Sequence, residues 1–474
     1  MSNRGVHSAG IIFTMILFEL SAYSLIFLAN RPFDLRILAI CIGAIGLFLF
    51  QYGVLTAFFP GCDRTVLLIA NFLVGVGLIV QTRIGVDIAL KQLVWLGVGV
   101  VAMVVCITVV RRYQGFEKLL WPLMILSGLL LGAAVFLGSE QYGARNWISI
   151  LGFSFQPSEF VKILLVFVLA TLLNRDRTIW KLLLAAAYVG ACVVLLLIQR
   201  DLGAVLLYAL TAVALLYVAT GSKLLLGASV TTGAVGAVAA YHLFSHVRVR
   251  VALWQNPWAM YEGQGYQVVQ GLIAIATGGL FGVGLTRGMP SAIPARHTDY
   301  IFAVICEEFG IVFGLILVAF YLVFVIRGAL IAMDARNSFD ALLAIGCVTM
   351  MSLQSFIIIG GVCKLIPLTG ITMPFVSYGG SSILSCFMLL GILEGIAIKN
   401  HDADLTEFEQ VFLEEFADDY DDEYDDDDDG RYDDYDDDDD DYDDYDDDYD
   451  EDYGGRGGLG VDSYGARRRK GGRR

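Results

Sequence analysis

Ten ionisable residues sit in or beside the apolar runs of this chain: Glu19, Lys91, Glu159, Lys162, Asp201, Asp299, Glu307, Glu308, Lys364 and Glu394. Charge at such positions is costly, so each is a candidate for a cavity, a partner or a proton path. Asp299 stands first, because it lies at the mouth of a predicted span over 300–326 and follows Arg296, His297 and Thr298 directly. A carboxylate there can take a proton from a substrate hydroxyl while reaching water. The plainer alternative is a helix cap. On a continuous helix Glu307 falls about 12 Å deeper and some 80° round, which makes it the expected companion, whereas Glu308 faces the packing side. Glu159 and Lys162 are three residues apart and can pair on one helix face. Arg145, Arg200, Arg248, Arg250, Arg287 and Arg296 form a further group. Guanidinium binds phosphate oxygens in bidentate fashion, although each could equally anchor in a headgroup layer.

Other chemistries find little support. Gly379, Gly380, Ser381 and Ser382 follow Pro374 and Tyr378 and resemble a phosphate-cradling loop in composition, but the Walker lysine is missing. Small residues there suit close helix packing. The eight cysteines are scattered without paired spacing and predict neither a disulfide nor a metal centre.

The elements that must position these residues are transmembrane helices. Hydrophobic residues make up 57% and charged residues 17% of 474, more apolar than a soluble protein could cover. Twelve spans are expected, near 10–30, 35–58, 65–81, 88–110, 118–138, 159–174, 181–198, 202–219, 223–244, 300–326, 338–362 and 375–398. The fold class is therefore an all-α polytopic membrane protein. With the N-terminus inside, eleven Lys and Arg fall in short inner segments and seven in short outer ones, which places both termini in the cytoplasm. Two outer segments are long, 138–156 and 244–299. Within the second, 266–285 is apolar but broken by glycines, as in a re-entrant or interfacial segment. Residues 401–474 carry net charge −25 against +8 for the rest, and their Asp-Tyr repeats predict a disordered acidic tail with a basic end. That end could touch anionic lipid, or the acidic run could recruit a cationic partner.

Several ordered motifs carry a family resemblance. They are Gly143-Ala144 and Trp147, Gln156-Pro157-Ser158-Glu159, Asp201-Leu202-Gly203, Arg250 before Asn256-Pro257-Trp258, Gly263 with Gly265-Tyr266-Gln267, His297-Thr298-Asp299 with Glu307-Glu308, and Pro367 through Ser377-Tyr378-Gly379-Gly380-Ser381-Ser382. From about residue 65 to 398 the chain resembles the SEDS peptidoglycan glycosyltransferases, the FtsW/RodA/SpoVE group of cell-wall polymerases. The resemblance implies a ten-span core over 65–400, preceded by two extra spans within 1–64, and an enzyme of the bacterial cytoplasmic membrane that polymerises lipid II on the outer face. It assigns Asp299 to the family's essential aspartate, as general base. It places Arg250, Arg145, Trp147, Gln156, Glu159, Lys162, Asp201, His297, Glu307, Ser377, Tyr378 and Ser381 around the substrate. It allows a divalent cation, magnesium or manganese, as cofactor. Its partners would be a class B penicillin-binding protein, lipid II and membrane lipids, with no nucleic acid. A lipid II flippase and a non-catalytic scaffold for a transpeptidase are the competing functions. Arg200 stands where the family usually has proline, Lys364 where it has glycine, and Asn146 where it often has arginine.

Overall fold

The computed structural model describes residues 8–113, 115–141, 144–150, 153–174 and 178–422. Gly143, the loop residues Arg175 and Arg177, and the acidic run beyond Asp422 with its basic end lie outside the described residues. The chain divides into two compact units, Met1–Phe412 and Leu413–Arg474. Residue 400 lies within the helix Gly380–Asp422.

In chain order the helices are α1 (Ser8–Ala29), α2 (Leu35–Phe58), α3 (Arg64–Ile84), α4 (Val86–Arg112), α5 (Leu120–Leu137), α6 (Pro157–Leu172), α7 (Ile179–Ile198), α8 (Leu202–Thr220), α9 (Lys223–Leu243), α10 (Ser245–Gln255), α11 (Tyr266–Gly278), α12 (Ile301–Phe309), α13 (Ile311–Met333), α14 (Ser338–Val362) and α15 (Gly380–Asp422). Among the described residues eleven helices are long and apolar enough to cross a membrane. The remaining expected span corresponds to α6, which at 16 residues is about 24 Å long. It is buried along nearly its whole length, so neighbouring helices, not lipid, surround it. One departure from an all-helical chain occupies the segment 138–156, where β1 (Ser139–Gln141), β2 (Ala144–Ile150) and β3 (Phe153–Phe155) form an antiparallel sheet.

Helices α3, α14 and α15 form the interior, and α9 stands at the edge with no buried residue. Hydrocarbon offers apolar side chains as good a home as another helix does, so close approach through small residues decides which faces meet. The α4–α15 contact shows this. A Cβ on Gly99 would come within 2.9 Å of Phe387, one on Gly380 within 2.5 Å of Trp95, and one on Gly391 within 2.5 Å of the Met103 carbonyl. The outward faces keep large apolar residues such as Val94, Val101, Trp121, Leu129 and Phe136, as a lipid-facing surface requires.

The expected span over 300–326 is two elements. Gly310 breaks it at φ +88, where a Cβ would meet the Leu280 carbonyl oxygen at 2.3 Å. The nine-residue α12 is buried, and the membrane-length helix begins only at Ile311. The glycine-interrupted segment becomes the 13-residue α11, too short to cross a bilayer, followed by a loop that hydrogen-bonds alongside the end of α12.

Candidate active site

One large cavity of about 1340 Å³ opens at the end of the bundle where α4 and α15 begin and α7 and α14 finish. Its size exceeds the usual range for a single drug-sized ligand. Of the residues singled out in the sequence, Asp299, Arg250, Trp147, Gln156, Glu159, Lys162, Asp201, His297 and Tyr378 line it.

Asp299 lies in the loop before α12 and does not cap it. The N-cap position is Tyr300, and no side chain bonds to that helix end. The loop is held from behind. Ser377 Oγ donates to the Thr298 carbonyl at 2.6 Å, and the Tyr378 N–H donates to the His297 carbonyl at 2.8 Å. Arg250, on the short α10, donates to the Leu368 carbonyl at 2.9 Å. Between the two charged groups stands Gly370, at φ +75. A Cβ there would be 3.5 Å from Asp299 Oδ2 and 3.9 Å from both terminal nitrogens of Arg250, so both charged groups reach the same glycine. Burial pushes the Asp299 carboxyl up to about 6, against the opposite pull of Arg250. A carboxylate of that strength is ionised at neutral pH and still a competent base. Burial, and then Arg296, holds His297 below the ordinary histidine range and favours its neutral form.

Asp201 is a hub. Its Oδ1 caps α8 through the Ala204 N–H at 3.0 Å, and its Oδ2 accepts from Asn146 at 2.9 Å, Gln156 at 3.1 Å and Ser158 at 3.2 Å. Deeper in the cavity Lys162 and Glu159 pair at 2.5 Å. The ammonium also donates to Gln354 at 2.9 Å, and Ser385 donates to Glu159 at 2.7 Å.

Four expected site residues lie elsewhere. Glu307 faces the 282–289 loop, where its carboxylate accepts the Met289 N–H at 3.0 Å; Asp299 precedes the N-cap Tyr300 in a loop, so the two do not lie on the one continuous helix that was to give them a common face. Its neighbour Glu308 pairs with Arg83 at 3.1 Å. Arg145 is exposed outside the cavity lining, its backbone N–H bonded to the Gln199 carbonyl, and the adjacent Asn146 takes the place by the cavity. Ser377 and Ser381 are buried behind the wall. The first holds the loop of Asp299, and the second accepts the Gln156 N–H at 3.1 Å.

Lys91, among the ionisable candidates of the sequence, also lines it, and lining residues without an expected role include Trp95, Gln354 and His246. Gln354 carried a signal, a polar side chain in the middle of an apolar run. His246 carried none, since only the packing of α10 brings it in. Burial lowers the pKa of His246, and Arg200 and Arg250 lower it further, which puts it in the field of both guanidinium groups. A divalent cation, magnesium or manganese, would find its carboxylate in Asp299, since both Asp201 oxygens already accept hydrogen bonds and Glu159 is paired with Lys162; one carboxylate, with water and substrate phosphate oxygens, is a usual magnesium set. Among the described residues no three acidic, histidine or cysteine side chains gather.

A family model described as Cell cycle protein, for FtsW, RodA and SpoVE, matches residues 66–402. Similar proteins include the peptidoglycan glycosyltransferase RodA of Mycobacterium tuberculosis, 37% identical over 72% of this chain and 79% of the relative. The stage V sporulation protein E of Bacillus subtilis is 34% identical over 65% of this chain and 86% of its own length. Among solved structures, a chain of a peptidoglycan synthase complex that coordinates polymerization and crosslinking superposes with a TM-score of 0.62 at 26% identity, covering 72% of this chain and 98% of that one. The rod shape determining protein RodA of Thermus thermophilus gives a TM-score of 0.55 at 26% identity, with the same coverage.

Proposed function

The chain belongs to the FtsW/RodA/SpoVE family and is a multi-pass membrane peptidoglycan glycosyltransferase; from that premise we propose that it joins lipid II units into glycan by inverting transfer, with Asp299 as general base. The observation that carries this reading is the carboxylate of Asp299 facing the guanidinium of Arg250 across Gly370 in one wide cavity.

Asp299 takes the proton from the 4-hydroxyl of the acceptor sugar as its oxygen attacks the anomeric carbon of the donor. The bond to the diphosphate breaks on the opposite face and the configuration turns from α to β. Negative charge grows on the departing diphosphate, and Arg250 stabilises it there. Base catalysis of this kind contributes about 10² to 10⁴ in rate, and the rest comes from positioning. Ser377 and the Tyr378 N–H supply part of that positioning by fixing the loop of Asp299.

The cavity faces outward in this reading. Arg64, Arg111 and Arg112 lie at the far ends of the helices that start or finish at the cavity, and the excess of basic residues marks the cytoplasmic side. The partner would be a single-span transpeptidase, in line with the synthase complex that the fold resembles.

The test is Asp299→Asn in liposomes supplied with labelled lipid II. A polymerase loses about 10² or more of its glycan synthesis with an unchanged melting temperature. Full activity would overturn the assignment. Lipid II translocation without polymer in the wild type would favour a flippase instead.

A further inference from the structure

The two spans that precede the family match, α1 and α2, meet α3 around a second and much smaller cavity. It holds about 20 Å³, room for one water-sized guest. Its wall is made by Glu19 of α1, Gln51 of α2, and Asn71 and Gly75 of α3, with Leu96 of α4 and Phe387 of α15 behind them. Glu19, Gln51 and Asn71 are buried polar side chains in the interior of three different membrane-length helices. Asn71 and Gly75 are four residues apart and share one face of α3. A Cβ on Gly75 would lie 2.4 Å from Glu19 Oε1, so the carboxylate packs directly on the α3 backbone.

The chemistry of this cluster is one-sided. Both amide nitrogens are turned elsewhere, Asn71 Nδ2 donating to the Leu67 carbonyl at 2.8 Å and Gln51 Nε2 reaching the Met103 sulfur at 3.9 Å. The amide oxygens are the ends left for the cavity, and exchanging the two ends of Asn71 would set oxygen against the Leu67 carbonyl. Glu19 Oε2 is buried without a hydrogen-bond partner, and among the described residues no basic side chain pairs with Glu19. Lone pairs therefore converge from three helices, and no charged donor meets them.

An ionised carboxylate at this depth is costly, so its charge must be neutralised by a proton or by a bound cation. A proton supplies one donor for several oxygens, whereas one cation accepts lone pairs from all of them. Ligands that are all oxygen select a hard cation. A single carboxylate balances one positive charge, which favours a monovalent ion over a divalent one.

We propose that Glu19, Gln51 and Asn71 bind one sodium ion, which ties the added helix pair to the family core. The site is independent of the glycosyltransferase reading. Helices α1 and α2 lie outside the matched residues 66–402, and none of the residues around the small cavity lines the large one.

The full chain in zwitterionic nanodiscs is prepared in choline chloride and titrated with sodium chloride at constant ionic strength. Labelled sodium reports binding, and the melting temperature reports coupling to the fold. Glu19→Gln, which keeps the shape and removes the charge, is compared with Gln51→Leu. The wild type is expected to bind a single sodium ion per chain, and its melting temperature to climb with the logarithm of sodium concentration. Glu19→Gln should bind none and melt at a temperature indifferent to sodium, and Gln51→Leu should lose about tenfold in sodium affinity. Absence of sodium binding in the wild type overturns the proposal, as does a sodium response that Glu19→Gln retains. A melting temperature that follows pH and ignores sodium assigns a protonated carboxyl with a water beside it, and also overturns the proposal. If Glu19→Gln does not fold, Gln51→Leu decides, and full sodium affinity in that variant overturns the site.

Discussion

The two ends of the helix bundle handle charge in opposite ways. At the cavity end three non-glycine residues of the lining (Arg200, Ala295 and Lys364) adopt left-handed backbone, and Asp299 is kept from an ordinary titration. At the far end of the same helices several charges are held in ion pairs. Arg111 of α4 pairs with Asp402 at 2.8 Å, Lys399 pairs with Asp340 at the start of α14, and Arg336 pairs with Asp404 and with Glu407, the last at 2.8 Å. Arg327 pairs with Asp63, whose backbone N–H donates to the buried Glu394 at 2.8 Å. Left-handed backbone concentrates where chemistry is done, while paired charge fastens the far helix ends.

The contrast can be broken or sharpened experimentally. The largest effect is expected from pH. Polymerisation needs the ionised form of Asp299, so the rate should fall as pH drops through about 6, by about tenfold per unit below it. A rate constant down to pH 5 in an intact protein would remove Asp299 from the role of base. The raised value also means that the folded state holds this proton more tightly than the unfolded chain. The group therefore favours folding at low pH and opposes it as pH rises through 6, and Asp299→Asn should not lower the melting temperature at pH 7.

A smaller effect belongs to the far end. Arg327→Ala strands the buried Asp63 beside Glu394 and should destabilise by about 1–3 kcal/mol in denaturant titration, with the activity of the surviving folded protein retained. Loss of activity at unchanged stability would contradict the division between the ends. The smallest is Arg336→Ala. This residue is half exposed in both of its pairs, and its removal should change stability by less than about 0.5 kcal/mol.

Much of this protein is written in local sequence. Apolar runs of membrane length predict the spans because a helix is the structure that satisfies a backbone in hydrocarbon, and the spacing of Glu159 and Lys162 predicts their pair for the same local reason. The prominence of Asp299 is also legible, since few carboxylates stand in so apolar a chain. Tertiary structure decided the rest. Whether Gly310 continues or breaks a helix depends on the Leu280 carbonyl packed against it, and Glu307 turns from the cavity to the Met289 N–H of a loop, a contact that periodicity does not report. Arg145 gave way to Asn146 through the pairing of short strands, and Ser377 and Ser381 became supports for the wall because α15 starts behind it. Periodicity reports which residues share a face of one element. It carries no information on which elements, hundreds of residues apart, close around a common space, and the cavity that brings Asp299 and Arg250 to one glycine exists only once they do.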